Sequence, residues 1–399
     1  MISIGVDVSK GKSTVCFLKP YGEVLHRPFD VQHTDSDLKH FVGMIKTLTE
    51  EVRVVMEATG IYHYPILTYL KEHGIFVSVV NPLVMSKYAN MAIRKGKTDK
   101  LDAIKIAAFG LDHWFRLVDF TPTVAVYNEM KILNRQYLNY ITMRIQAKQT
   151  LTNLLDRTMP GIKTQLCNRS DTPDRDKLCD FVKEYWHFDH ITRMSEARFI
   201  HSYDCWAKRK GYRTSIEKAK TIYALALEGV PTLPSDMPST KMLVLEAVRV
   251  LHTIDTTLAI ILSQMSDLAK TLKEFEIVMN MPGIGKTLGP RLIAEVGDIS
   301  RFHSASALIA YAGLDAPPFQ SGRFTATKRG ISKRGSSSLR KTGYEVMQRI
   351  KVAKLEQDNA VYLYMLKKEE EGKPPKVAKI AALNKFLHIY YARVKEAYS

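Results

Sequence analysis

The chain has 399 residues, 45% hydrophobic and 25% charged, a composition that excludes disorder and collagen-like structure and leaves room for two or three domains. Lysine plus arginine number 58 against 41 acidic residues, and the resulting net charge of +17 points to a polyanionic partner, most simply nucleic acid. No uncharged apolar run approaches the roughly 18 residues of a membrane helix, an acid at Asp7 argues against a signal peptide, and four cysteines without a CxxC form no disulfide framework, so a reducing cytoplasm is expected.

Ile2, Ile4, Val6 and Val8 alternate with Ser3, Gly5, Asp7 and Ser9, the period of two of a strand. Lys12–Leu18 and Val24–Val31 predict two more strands around a turn at Pro20-Tyr21-Gly22. Asp35–Leu48 predicts a helix, Val52–Glu57 a compact strand, Tyr62–His73 a helix and Ile75–Val80 another strand. Helical stretches follow near Asn81–Asn90 and Asp99–Gly110. Three strands, a helix, then strand–helix–strand–helix is the order of an RNase H-like α/β fold, assigned to residues 1–125. In such a sheet the first and fourth strands are neighbours.

The region 126–275 reads as all-α. Met130, Leu133, Tyr137, Ile141 and Ile145 mark one amphipathic helix that ends near Pro160-Gly161. After a proline-rich linker at 229–240, apolar residues run in heptads from Val244 through Leu251, Leu258 and Met265 to Leu272. That spacing predicts a coiled coil whose partner is the 126–156 helix of the same chain or a second subunit. A third unit, 276–365, is expected to be small and mainly helical, and a helical tail occupies 366–399. Within the third unit, residues 301–350 hold nine basic residues against two acids, the concentrated footprint of phosphate contacts.

Four acids carry the chemistry. Asp7 sits in mid-strand, where a carboxylate is costly without a partner, a metal or solvent. Glu57 ends the fourth strand ahead of Ala58-Thr59-Gly60, and Asp99 and Asp102, at i and i+3, share a helix face. Adjacent first and fourth strands would bring these four together. Clustered carboxylates repel unless a cation neutralises them, and all-oxygen ligation selects Mg²⁺, or Mn²⁺ as a substitute. Such sites use one or two ions for in-line displacement at phosphorus. Cys167, Cys179, His187, His190, His201 and Cys205 form a rival zinc constellation, but their spacing matches no common module. Pro282-Gly283-Ile284-Gly285 reads as a helix-hairpin-helix-like element, with Gly283, Gly285 and Lys286 approaching a phosphate at the start of a helix at Lys286–Val296.

Gly5-Val6-Asp7-Val8-Ser9-Lys10, Glu57-Ala58-Thr59-Gly60 and Lys97-Thr98-Asp99-Lys100-Leu101-Asp102-Ala103 resemble the N-terminal DEDD domain of IS110-family transposases, whose fold is RuvC-like. Pro282-Gly283-Ile284-Gly285, Tyr311-Ala312-Gly313-Leu314, Gln320-Ser321-Gly322 and Ile331-Ser332-Lys333-Arg334-Gly335 resemble the C-terminal transposase domain of the same family. The resemblance covers both ends in the right order, with the helical insert between. It implies that a serine, here Ser321 by motif position, attacks the scissile phosphate and forms a phosphoserine link, assisted by the Mg²⁺-binding acids. It also implies a structured noncoding guide RNA from the element's flank. Read alone, Ser321 is a loop serine with Ser332, Ser336, Ser337 and Ser338 as rivals. No histidine lies within ten residues of it, so metal activation fits better than a Ser–His pair.

The cations expected on DNA are Arg94, Lys95, Lys97 and Lys100 beside the acids, and Arg323, Lys328, Arg329, Lys333, Arg334 and Arg340 after the serine. The expectation is a nucleoid-associated prokaryotic recombinase acting as a homodimer or tetramer on element ends and target DNA, without a membrane. The alternatives are a RuvC-like nuclease or junction resolvase using metal-activated water, a transposase using free 3′-hydroxyl attack, and a non-catalytic nucleic-acid-binding protein.

Overall fold

The alternating apolar residues at the N-terminus become the central strand of a five-stranded sheet. The computed structural model describes residues 1–91, 98–122, 124–166, 176–317, 320–321, 324–325, 330–353 and 359–398. Two units divide the chain, Met1–Pro122 and Thr123–Ser399.

In the first unit, β1 (Ile2–Ser9), β2 (Lys12–Leu18), β3 (Val24–Gln32), α1 (Asp35–Lys46), β4 (Val52–Glu57), α2 (Tyr64–Glu72), β5 (Val77–Val80), α3 (Pro82–Ala89) and α4 (Asp99–Asp112) follow in chain order. The sheet order is β3-β2-β1-β4-β5. β1, β2 and β3 are successively antiparallel, whereas β4 lies parallel to β1 and β5 parallel to β4. The first and fourth strands are thus neighbours, as an RNase H-like order requires. Ile2, Ile4, Val6 and Val8 turn to one face and form a core with Phe41 and Ile45 of α1 and Leu67 and Leu70 of α2. Ser3 and Gly5 turn to the other face, which α4 covers closely. A Cβ on Gly110 would come within 2.2 Å of Ser3 Oγ, and one on Gly5 within 2.2 Å of the Ala103 carbonyl. The glycine and alanines of α4 let the helix lie almost on the strand backbone.

In the second unit, α5 (Ala125–Thr158) runs for 34 residues, about 50 Å at 1.5 Å per residue. α6 (Ile162–Leu166), α7 (Lys177–Glu184), α8 (Asp189–Thr192), α9 (Glu196–Arg209) and α10 (Ile216–Glu228) follow, then α11 (Pro238–Lys270). Leu151 and Leu155 share a core with Val244 and Val248, Tyr137 packs with Ile254 and Leu258, and Met130 with Met265. Rising numbers on α5 meet falling numbers on α11, so the two helices pair antiparallel. The heptad partner is therefore the same chain's own helix. Arg144 and Asp255 form an ion pair midway along the seam.

α6 to α10 pack a small lobe around Phe181, Phe199, Tyr203 and Trp206. Of the Cys/His set, Cys179, His187 and His190 pack within this lobe, whereas His201 and Cys205 are exposed and lie 3.6 Å apart. His187 Nε2 is 2.9 Å from the Leu233 carbonyl, and the His190 ring lies 4.6 Å from that of Trp186. Cys167 lies outside the described residues.

At the other end of the α5–α11 pair, α12 (Phe275–Met279), α13 (Leu288–Val296), α14 (Ala305–Ala312), the hairpin β6 (Gln320–Ser321) and β7 (Phe324–Thr325), α15 (Ser337–Ala353), α16 (Ala360–Glu370) and α17 (Pro375–Glu396) complete the unit. α13 is buried along its whole length, including Arg291 and Glu295. Arg291 pairs with Glu345 at 2.7 Å and lies over the Tyr137 ring. Glu295 accepts hydrogen bonds from Asn134 at 2.7 Å, Ser336 at 3.1 Å and Arg135 at 3.3 Å, tying α5 to the start of α15. Each buried charge thus has a partner, the condition for tolerating it. Among the described residues no helix is long and apolar enough to cross a membrane.

Candidate active site

Register places the first two acids. The last pair between β1 and β4 is Val6 with Met56, so Asp7 and Glu57 come next on adjacent parallel strands. Val6 and Met56 point into the α1 core. Asp7 and Glu57 therefore face the α4 side, about 4.8 Å apart by strand spacing, and both are half-buried. On its other flank Asp7 pairs with Thr14, and Thr14 pairs with Asp30. Glu57, Asp7, Thr14 and Asp30 thus form one polar row across four strands.

Thr14 is 3% exposed, and its hydroxyl donates to Asp30 Oδ1 at 2.7 Å. Lys12 donates to Asp30 Oδ2 at 2.7 Å. The bonds from Lys12 and Thr14, with the charge of Lys100 adding least, hold the Asp30 carboxyl below its ordinary range. The sequence reading missed Lys12, Thr14 and Asp30. Alternation along β2 puts Lys12 and Thr14 on one face, but only the hairpin register shows that this is the face of Asp7.

α4 supplies the other two acids. Its N-cap is Thr98, whose hydroxyl accepts from the Leu101 N–H at 3.2 Å. The helix runs antiparallel to β1, with Gly110 over Ser3 and Ala103 and Ala107 over Gly5. Its first turn, with Asp99 and Asp102, accordingly lies towards the Asp7 end of the strand. Asp102 pairs with Lys105 at 2.9 Å, both side chains being under a third exposed. Asp99 is exposed. The Lys12 ammonium is pushed up mainly by its bond to Asp30, and the charge of Asp99 adds a smaller part.

The oxygen-only donor set suits a hard divalent cation. The gathering does not yet match it. Among the described residues no three His, Cys, Asp or Glu side chains stand close enough to hold one ion. The four predicted acids share one face and one end of the sheet without converging on a point.

The second unit carries the serine. Ser321 pairs with Phe324 across a hairpin, so its backbone is short strand where a loop was expected. Two rivals are engaged elsewhere: the Ser332 hydroxyl donates to Asp315 and that of Ser336 to Glu295. The turn from Ile331 to Ser336 is docked on the end of α14. Lys333 N–H donates to the Gly313 carbonyl at 3.0 Å, and Ser336 N–H to that of Tyr311 at 2.7 Å. Arg340, expected on DNA, donates to the carbonyls of Ala312 and Gly335 at 2.8 and 3.2 Å. Lys333, at φ +55, and Arg334 remain exposed. A non-glycine residue at positive φ persists only where its surroundings fix it.

Gly283 turns the chain between α12 and α13 at φ +78, and a Cβ there would meet Ile350 at 2.4 Å. Gly285 and Lys286 are exposed, and α13 begins at Leu288 rather than Lys286. Lys100 is exposed at the start of α4. Arg94, Lys95, Lys97, Arg323, Lys328 and Arg329 lie outside the described residues.

An RNase H-like sheet with acids on its first and fourth strands and on the helix packed across them, in one chain with a mainly helical unit that carries a basic segment, has the make-up of a DNA-processing enzyme. The chain belongs to the IS110 family of transposases. Residues 4–160 match the family's DEDD transposase domain, and residues 275–363 match the transposase domain of the IS116/IS110/IS902 family. It is 26% identical over 333 residues to an insertion element IS116 protein of Streptomyces clavuligerus, covering 81% of this chain and 78% of that protein. It is 23% identical over 408 residues to the pilin gene-inverting protein of Moraxella lacunata, covering 98% of this chain and 95% of that one. A structural likeness to RuvC of Thermus thermophilus has 12% identity and a TM-score of 0.23, and covers 29% of this chain and 96% of RuvC.

Proposed function

We propose that this transposase cuts and rejoins DNA through a covalent serine–phosphate intermediate, with Asp7, Glu57, Asp99 and Asp102 as its acidic centre. The observation that carries the reading is the register that sets Asp7 beside Glu57 on the face covered by α4. The serine rests on the family match over residues 275–363 and on the prior engagement of Ser332 and Ser336.

In the first step Ser321 Oγ attacks phosphorus, losing its proton as the Ser–O–P bond forms and the P–O bond to the leaving deoxyribose breaks. The leaving oxygen takes up a proton. Rejoining reverses the step with a different DNA hydroxyl, so the phosphodiester energy is kept. A divalent cation would supply positive charge to stabilise the oxygens at phosphorus, with Asp7 and Glu57, side by side on adjacent strands, the acids nearest to taking it up. Lys333 and Arg334, on their fixed turn, hold the backbone phosphates. Exchange of two strands requires at least two serines, so a homodimer or tetramer is the working form. A structured noncoding RNA that selects the DNA partners follows from the family reading, and the +17 charge is compatible with it. The pilin gene-inverting relative supports DNA rearrangement. The compartment is cytoplasmic.

The test is an adduct trap. The protein is expressed with its native flanking DNA, so that any RNA is also made, and quenched in detergent. Wild type should retain DNA covalently and Ser321→Ala should retain none. Cleavage without an adduct, unchanged in Ser321→Ala, would favour the hydrolytic nuclease, which needs the acids alone. In filter binding, Lys333→Ala and Arg334→Ala should each weaken DNA binding similarly across sequences. Each should also lower the slope of log K against log salt by about 0.9, one released counterion per phosphate contact. An unchanged slope would remove them from the interface.

A further inference from the structure

Tyr311 lies near the end of α14, and the proposed reaction makes no use of its side chain. It is half-buried, and two cations from distant parts of the chain meet it. Lys131 of α5 has its Nζ 3.5 Å from the Tyr311 hydroxyl. Arg301, in the single turn Ile299–Arg301 between α13 and α14, has its guanidinium carbon 4.4 Å from the centroid of the Tyr311 ring. The same carbon stands 4.6 Å from the centroid of the Phe302 ring, and the two rings are 5.4 Å apart. A hydrogen bond from Arg301 to the Val296 carbonyl at 2.8 Å holds the guanidinium from a further side.

Other arginines of this unit are neutralised, Arg135 by Glu295 and Arg291 by Glu345. Among the described residues no ion pair neutralises Lys131 or Arg301. Burial would push the Tyr311 hydroxyl up, but the charges of Lys131 and Arg301 outweigh it and hold the hydroxyl below its ordinary value. Two like charges held against one side chain repel, and an anion brought to them relieves that cost.

We infer that Lys131, Arg301 and the Tyr311 hydroxyl form a phosphate-binding site for the DNA backbone, built from residues that neither the serine nor the acidic centre uses. It rests on DNA as the substrate and needs neither Ser321 nor a metal.

The parts suit a phosphodiester. A guanidinium offers five N–H donors in a planar fork, and in Arg301 only Val296 takes one up by a bond shorter than 3 Å. Lysine adds a point charge and the phenol a neutral donor. The two rings and the carbonyl restrict the guanidinium before a phosphate arrives, so it loses less freedom on binding than a loose surface arginine does. α14 also fixes where this site stands relative to the basic turn. The Tyr311 carbonyl accepts from the Ser336 N–H at 2.7 Å, and the Gly313 carbonyl from the Lys333 N–H at 3.0 Å. One short helix end thus carries both the Tyr311 site and the turn of Lys333 and Arg334.

Filter binding of the full chain to a random-sequence duplex over a range of salt concentrations tests the inference. Lys131→Gln should lower the slope of log K against log salt by about 0.9, one counterion fewer released. Lys131→Arg should restore the wild-type slope. Tyr311→Phe keeps the ring on which Arg301 rests and removes only a neutral donor. It should weaken binding about threefold to tenfold and leave the slope unchanged. Bracing of α5 against α14 alone would shift the melting temperature and leave the slope where it was. The inference fails if Lys131→Gln keeps the wild-type melting profile and the wild-type slope, whatever Tyr311→Phe does. It fails equally if wild type does not bind the duplex at low salt. If Lys333→Ala and Arg334→Ala lower the slope and Lys131→Gln does not, DNA follows the turn alone. If Lys131→Gln lowers the slope but no serine adduct is trapped, the phosphate site stands and only the serine reading is lost.

Discussion

Asp7→Asn should lower the single-turnover rate of strand cleavage by roughly 10³-fold or more while the protein still folds. Asparagine keeps the shape of the side chain and its place between Glu57 and Thr14 in the sheet. It removes the charge proposed to hold a cation, which the neighbouring acids are not placed to replace. Glu57 stands one strand away, Asp30 is bound by Lys12 and Thr14, and Asp102 is paired with Lys105. A purely structural residue would show the opposite pattern, with melting temperature falling and the rate per folded molecule kept. Measuring both quantities on one preparation decides the matter. A cleavage rate within tenfold of wild type at unchanged melting temperature would put the chemistry outside this sheet. Thr14→Val is the companion variant. It leaves the Asp7 charge in place and removes only the hydroxyl that donates to Asp30, so its rate should fall by far less.

Much of this centre could be read from residue order alone. The alternation Ile2, Ile4, Val6, Val8 sets Asp7 opposite the core, and the strand order makes β1 and β4 neighbours. The heptads of α11 were legible as a seam but not their partner, because an apolar stripe does not say whether it meets its own chain or another. Long-range register was the other blind spot. The row Asp7, Thr14, Asp30 depends on how two hairpins pair, and a slip of one residue would send Thr14 to the opposite face. The bonds of Arg340 to the carbonyls of Ala312 and Gly335 were not legible, because backbone acceptors carry no sequence signature. The i to i+3 spacing of Asp102 and Lys105 was visible, but a helix surface offers many such pairs. Only the packing of α4 on β1 shows that this pair lies at the acidic end of the sheet.

That packing supports the second large effect, which is expected at a residue with no side chain. Gly5→Val should destabilise the first unit by about 3 kcal/mol or more, and cleavage should fall even under conditions where the protein remains folded. The added Cβ would lie 2.2 Å from the Ala103 carbonyl oxygen and 2.3 Å from the Ala107 nitrogen. Both are backbone atoms of α4, so no rotamer change can make room and the whole helix must lift. Asp99 and Asp102 ride on that helix and would move away from Asp7 and Glu57, which stay with the sheet. Stability and catalysis are therefore coupled at Gly5 through one contact. Gly43→Ala in α1 is the control, since nothing lies within 4 Å of its Cβ position. It should stabilise by about 0.5–1 kcal/mol, because alanine is the better helix former, and leave cleavage alone. Urea unfolding followed by circular dichroism, with single-turnover cleavage on the same samples, reads both effects. If Gly5→Val unfolds at the wild-type urea concentration, α4 does not lie on β1 as described, and the placement of Asp99 and Asp102 near Asp7 falls with it.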